Sequence, residues 1–117
     1  ALDGVLAKGS FTGAERQVLL TAVSAANECT YCTAAHTTFA RMMKGDEGAI
    51  AAARGEGVAA DPRVQALVEF THAVVTQRGK VGDEALERFL AAGFTRAHAL
   101  EVATTVGLKT ISNYIDG

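Results

Sequence analysis

Residues 61–77 admit one regular structure. Asp61-Pro62 is a helix start, with Asp as N-cap and Pro at the first helical position, where its missing N–H costs nothing. Behind it, Val64, Leu67, Val68, Thr71, Val74 and Val75 recur three and four residues apart, one stripe of a helix running toward Gly79. Other segments repeat the pattern. Thr12-Gly13-Ala14-Glu15 fits a capping box, in which hydroxyl and carboxylate satisfy each other's backbone amides. It opens a helix over 13–26 whose Val18, Leu19, Leu20, Ala22, Val23, Ala25 and Ala26 are apolar almost all round, the pattern of an element buried on most sides. Asn27 ends that helix or caps the next.

A second helix is expected over about 29–44, and a short alanine-rich one over 47–54 closed by Gly55 and Gly57. Gly82-Asp83 opens another, with Leu86, Phe89 and Leu90 facing inward and Gly93 as its stop. Thr95 caps the last helix. Its stripe is Leu100, Ala103, Thr104, Gly107, Ile111 and Tyr114/Ile115, and Val102, Val106 and Leu108 lie beside it. A helix so broadly apolar in a small domain needs extra cover, and a second subunit is the expected source. Residues 1–10 add a short apolar patch (Leu2, Val5, Leu6), read as a short helix or arm. No stretch alternates long enough for a strand. The expectation is an all-α domain of about six helices, one domain over residues 1–117, oligomer-forming.

Composition narrows the function. Apolar residues form 49% of the chain, enough for a core, and one proline with 6% aromatics favours helices over strands. A net charge of −2 lacks the basic cluster of a nucleic-acid binder. No apolar run reaches membrane-spanning length, and no charged n-region precedes an apolar h-region, so neither a membrane span nor a signal peptide is expected. Cysteine usage then points to a cytoplasmic thiol pair rather than a structural staple.

Both cysteines lie in one stretch, Asn27-Glu28-Cys29-Thr30-Tyr31-Cys32-Thr33-Ala34-Ala35-His36. On a helix, Cys29, Cys32 and His36 share one face. A thiolate, not a thiol, attacks peroxides and disulfides, so a working site must lower a thiol pKa from about 8.5. The first turn of a helix offers unpaired amides and the positive end of the dipole. His36, one turn past Cys32, is placed to take its proton or pair with the thiolate. Cys29, one turn back, is placed to resolve a sulfenic acid on Cys32 by closing the disulfide. Cys32 is thus the expected nucleophile, and Cys29, at the more exposed helix start, the thiol that a reductant reaches.

The segment Ala14-Glu15-Arg16-Gln17 through Ala22-Val23-Ser24-Ala25-Ala26-Asn27, followed by Cys-x-Tyr-Cys-x-x-x-His, resembles the alkylhydroperoxidase AhpD-like, or carboxymuconolactone decarboxylase, superfamily. Gly107-Leu108-Lys109-Thr110 with Asn113-Tyr114 also resembles how these domains end. The resemblance implies an all-helical domain assembling as trimers or hexamers. It implies a peroxidase in which Cys32 becomes a sulfenic acid, Cys29 is proton donor and resolving thiol, and His36 belongs to the proton relay. The implied partners are a hydroperoxide substrate and a dithiol reductant of the thioredoxin or lipoyl type, with no cofactor. One position departs from the pattern. In the peroxidase members a glutamate twelve residues before the first cysteine completes the relay, and here that position is Gln17. An amide does not exchange a proton at neutral pH, although it can hold a water. Glu15 sits about 200° away round the helix and does not substitute. Glu28, beside Cys29, would raise a thiol pKa rather than lower it.

Other readings compete. The thiols could be structural, or Cys29, Cys32 and His36 could bind zinc, with a fourth ligand (His72 or His98) arriving only across the fold. A lactone-directed lyase would use His36 as acid and base. A redox-sensing module would use the disulfide without turnover. Elsewhere His72 reads as a packing histidine, His98 as solvated, Tyr31 as a pocket or packing residue, Met42-Met43 as core or interface, and the charges of residues 77–88 as a solvated face.

Overall fold

A computed structural model describes residues 11–42, 45–77 and 83–116, which form six α-helices: α1 (Gly13–Ala26), α2 (Thr30–Met42), α3 (Glu47–Ala53), α4 (Pro62–Thr76), α5 (Asp83–Ala91) and α6 (Arg96–Asp116). No strand occurs among these residues. The apolar patch at residues 1–10, Met43, and the glycines at 79 and 82 lie outside the described residues.

Helix starts follow the local chemistry. At α1, Thr12 N–H donates to Glu15 Oε1 at 3.0 Å and Glu15 N–H to Thr12 Oγ1 at 3.1 Å, a complete capping box. Asp61 caps α4 through Arg63 N–H, with Pro62 next in line. At α6 the partner of Thr95 is a histidine: His98 N–H donates to Thr95 Oγ1 at 3.2 Å, and Thr95 N–H donates to His98 Nδ1 at 3.0 Å. His98 is therefore buried, not solvated, its ring held against Phe11 and Phe94 at 4.8 and 5.3 Å. After α5 the chain stops at Gly93, whose φ of 107° favours glycine and whose N–H reaches Leu90 O.

Helix α1 is the central rod. Seven consecutive residues, Val18 to Ser24, are buried, and α1 packs against α2, α3, α4 and α6. Buried threonines on it and on α4 do not break the core, because Thr21 and Thr71 donate to the carbonyls of Gln17 and Leu67 one turn back. At one end of the molecule the core is aromatic. Phe89 stacks between Phe70 and Phe94, with centroids 4.3 and 4.4 Å apart, and Phe11 closes on Phe94. Arg63 lies over the Phe94 ring at 3.9 Å and pairs with Glu15 at 3.2 Å.

Helix α6 departs from expectation. Its buried face is His98, Val102, Thr105, Val106 and Asn113. The stripe Leu100, Ala103, Thr104, Gly107, Ile111 and Ile115 faces outward. Two apolar faces on one helix give periodicity no means of choosing between them. On the face that packs, Asn113 hydrogen-bonds Ser24 of α1. Tyr31 and Met42 are likewise exposed rather than packed. Among the described residues no helix is long and apolar enough to cross a membrane.

Candidate functional site

The cysteine turn sits at the end opposite the aromatic core. Helix α1 closes with Asn27 as C-cap, and Glu28 then takes the left-handed conformation at φ 59°. Glu28 N–H bonds to Ala25 O and Cys29 N–H to Ser24 O at 2.9 Å. These are the two bonds of a Schellman motif, with a glutamate in the slot glycine usually fills. Cys29 thus ends the α1 motif and begins α2, its carbonyl accepting from Thr33 N–H at 2.9 Å. This double duty aims its sulfur at the first turn of α2, where Cys32 N–H donates to Cys29 Sγ at 3.3 Å.

Cys29 and Cys32 are joined as a disulfide, their Cα atoms 5.3 Å apart. Both are buried, at 6% and 3% exposure, so Cys29, though slightly the more open, is not an exposed thiol. The expectation of an exposed Cys29 overlooked that the α1 motif tucks the helix start under Ser24. His36 lies one turn past Cys32. Its Nδ1 is 3.2 Å from Gln17 Oε1. An amide oxygen only accepts, so Nδ1 carries the proton and Nε2 keeps the lone pair. Burial, and then the charge of Lys109, lower the His36 pKa from 6.5 to about 4. At neutral pH the ring is therefore a neutral base.

The fold gathers Cys29, Cys32, His36 and Gln17 along the seam between α1 and α2. Helix α6 adds a third wall that sequence reasoning left unassigned. Asn27 Nδ2 donates to Thr110 Oγ1 at 3.0 Å and to Asn113 Oδ1 at 3.2 Å, and Asn113 Nδ2 reaches Ser24 Oγ at 3.4 Å. Its one sequence signal is Thr105, Lys109 and Asn113, polar residues four apart on the helix. Among the described residues no three His, Cys, Asp or Glu side chains come together as a metal site. His72 packs, its Nε2 3.2 Å from Ala53 O.

An open pocket of about 270 Å³, lined by Glu28, Thr30, Thr33, Ala34 and Arg54 among others, borders the turn but is not the redox face. Thr30 and Ala34 each precede Cys32 and His36 by two residues, which puts them about 200° away round α2.

The family model for the carboxymuconolactone decarboxylase family matches residues 1–73. The chain belongs to that family. It is placed thereby in the AhpD-like superfamily. The matched segment takes in α1, the cysteine turn, α2, α3 and most of α4. Helix α6, with Lys109 and Asn113, lies beyond it. A search of curated proteins finds no significant match.

Proposed function

We propose that the chain is a thiol-dependent peroxidase acting on hydroperoxides, with a dithiol donor as reductant. The observation that carries this reading is the Cys29–Cys32 disulfide at the start of α2, on the helix face where His36 is held by Gln17. In the reduced enzyme His36 Nε2 takes the Cys32 proton. The thiolate attacks a peroxide oxygen, the O–O bond breaks, and the departing alkoxide recovers the proton as an alcohol. Cys32, now a sulfenic acid, is attacked by Cys29, which closes the disulfide and releases water. A dithiol of the thioredoxin or lipoyl type returns two electrons by exchange through a mixed disulfide, and the cytoplasm is the compartment that supplies such donors.

A homo-oligomer, trimer or hexamer, belongs to the same reading. The outward stripe of α6, with Leu100, Ile111 and Ile115 exposed, supports it, because a monomer rarely leaves such a row uncovered. The family's other activity favours a second reading, a lyase in which neutral His36 is the acid and base.

The test is hydroperoxide consumption with a dithiol reductant by wild type, Cys32→Ser and Cys29→Ser. Consumption is expected in wild type and lost in Cys32→Ser. Equal rates in all three would sink the proposal, and lactone turnover surviving loss of both cysteines would establish the lyase.

A further inference from the structure

Helix α6 is hydrogen-bonded to the cysteine turn and carries a cation at position 109. Lys109 lies between Thr105 and Asn113 at four-residue spacing, and those two are buried at 1% and 5% exposure. It is therefore on or beside the ridge that faces α1, and it is itself half-buried. The next residue, Thr110, accepts from Asn27, and Asn113 binds both Asn27 and Ser24, whose carbonyl holds Cys29 N–H. Position 109 is thereby tied to the turn that carries the disulfide. Its charge is felt at His36, where it opposes protonation of the ring. The group facing His36 from α1 is Gln17, which is neutral, and Glu28 in the turn is exposed to solvent.

We propose that Lys109 is an electrostatic positioning residue for the redox pair, its charge stabilising the Cys32 thiolate. A carboxylate at position 17 would stabilise an imidazolium, and the thiolate would then pair with the ring. With Gln17 there and Lys109 on α6, the positive charge facing the thiolate comes from the third wall, and His36 passes the thiol proton on rather than keeping it. Opening the disulfide with a dithiol adds two electrons and one proton, leaving Cys29 as thiol and Cys32 as thiolate. A cation nearby favours that product and makes the pair more oxidising.

This rests on Cys32 being the attacking thiol, yet its test needs no turnover. Reduced wild type, Lys109→Met, Lys109→Gln and Lys109→Arg are titrated by thiolate absorbance, with the Arg88→Gln variant as control. Arg88 is an exposed residue on α5 paired with Glu84 and next in the chain to Phe89 of the aromatic stack, so its loss removes a charge at the end opposite the cysteine turn. The expected result is a thiolate fraction lowered about tenfold below the midpoint in Lys109→Met, with Lys109→Arg retaining the wild-type curve and Arg88→Gln leaving it unmoved. Lys109→Gln keeps a polar head and gives the same reading should the methionine variant not fold. An unmoved curve in either folded neutral variant overturns the assignment while leaving the peroxidase reading intact. A shifted curve in a protein that consumes no hydroperoxide would do the reverse.

Discussion

The two ends of this molecule hold a histidine in the same kind of niche and use it differently. At the aromatic end His98 is packed by Phe11 and Phe94, and its Nδ1 accepts a backbone N–H as part of a helix cap. At the redox end His36 meets one side-chain amide through Nδ1, which leaves Nε2 unprotonated. The contrast extends to what surrounds them. Stacked rings secure one end, whereas the other is secured by a Schellman motif and a side-chain network from α6. Apolar packing supplies stability without direction. Hydrogen bonds to named backbone atoms supply direction, which a thiol site needs.

That division can be broken from either side. Phe89→Ala removes a fully buried ring from between Phe70 and Phe94 and should cost about 3–5 kcal/mol in denaturant unfolding, with the thiol titration of the folded fraction unchanged. A shifted titration would show that the ends are coupled. Asn113→Ala should cost less, about 1–3 kcal/mol, because it strands the buried Ser24 hydroxyl and removes one of the two bonds made by Asn27 Nδ2. It should nonetheless change the thiol pKa, measured by the same absorbance.

The pH dependence of stability sharpens the role of His36. Its folded pKa of about 4 lies below its unfolded value of 6.5, so the unfolded chain binds a proton that the folded one excludes. Stability of the oxidised protein should therefore fall as pH drops from 6.5 toward 4 and lose this slope below that. In Gln17→Glu the carboxylate raises the His36 pKa and the slope should shrink, with peroxidase activity rising. Thermal melts across pH read the first, and hydroperoxide consumption the second. The smallest effect is expected at Glu28. Glycine there removes the left-handed strain at φ 59° and should stabilise by about 1 kcal/mol or less, seen as a raised Tm.

Much of this was legible in the residues. Capping chemistry at Thr12 and Asp61 and the stripe of α4 led directly to elements the structure contains. The cysteine–histidine spacing put Cys32 and His36 on one helix, with Cys29 at its start. What escaped was long-range. Asn113 and Lys109 are 77 or more positions from the cysteines, and nothing local marks them as partners of Asn27 or His36. The burial of His98 escaped for the same reason: Thr95 is close in sequence, but Phe11 arrives from the far end of the chain. On α6, two apolar faces made the outward one indistinguishable from the inward one until α1 was in place.

The most direct test of the redox assignment is to trap its first product. Reduced Cys29→Ser protein is treated with one equivalent of an alkyl hydroperoxide and a sulfenic-acid-selective reagent, and the adduct is mapped by mass spectrometry. One adduct on Cys32 is expected, since without Cys29 the sulfenic acid has no resolving thiol. An unmodified Cys32 in protein whose wild type consumes the hydroperoxide would contradict the account.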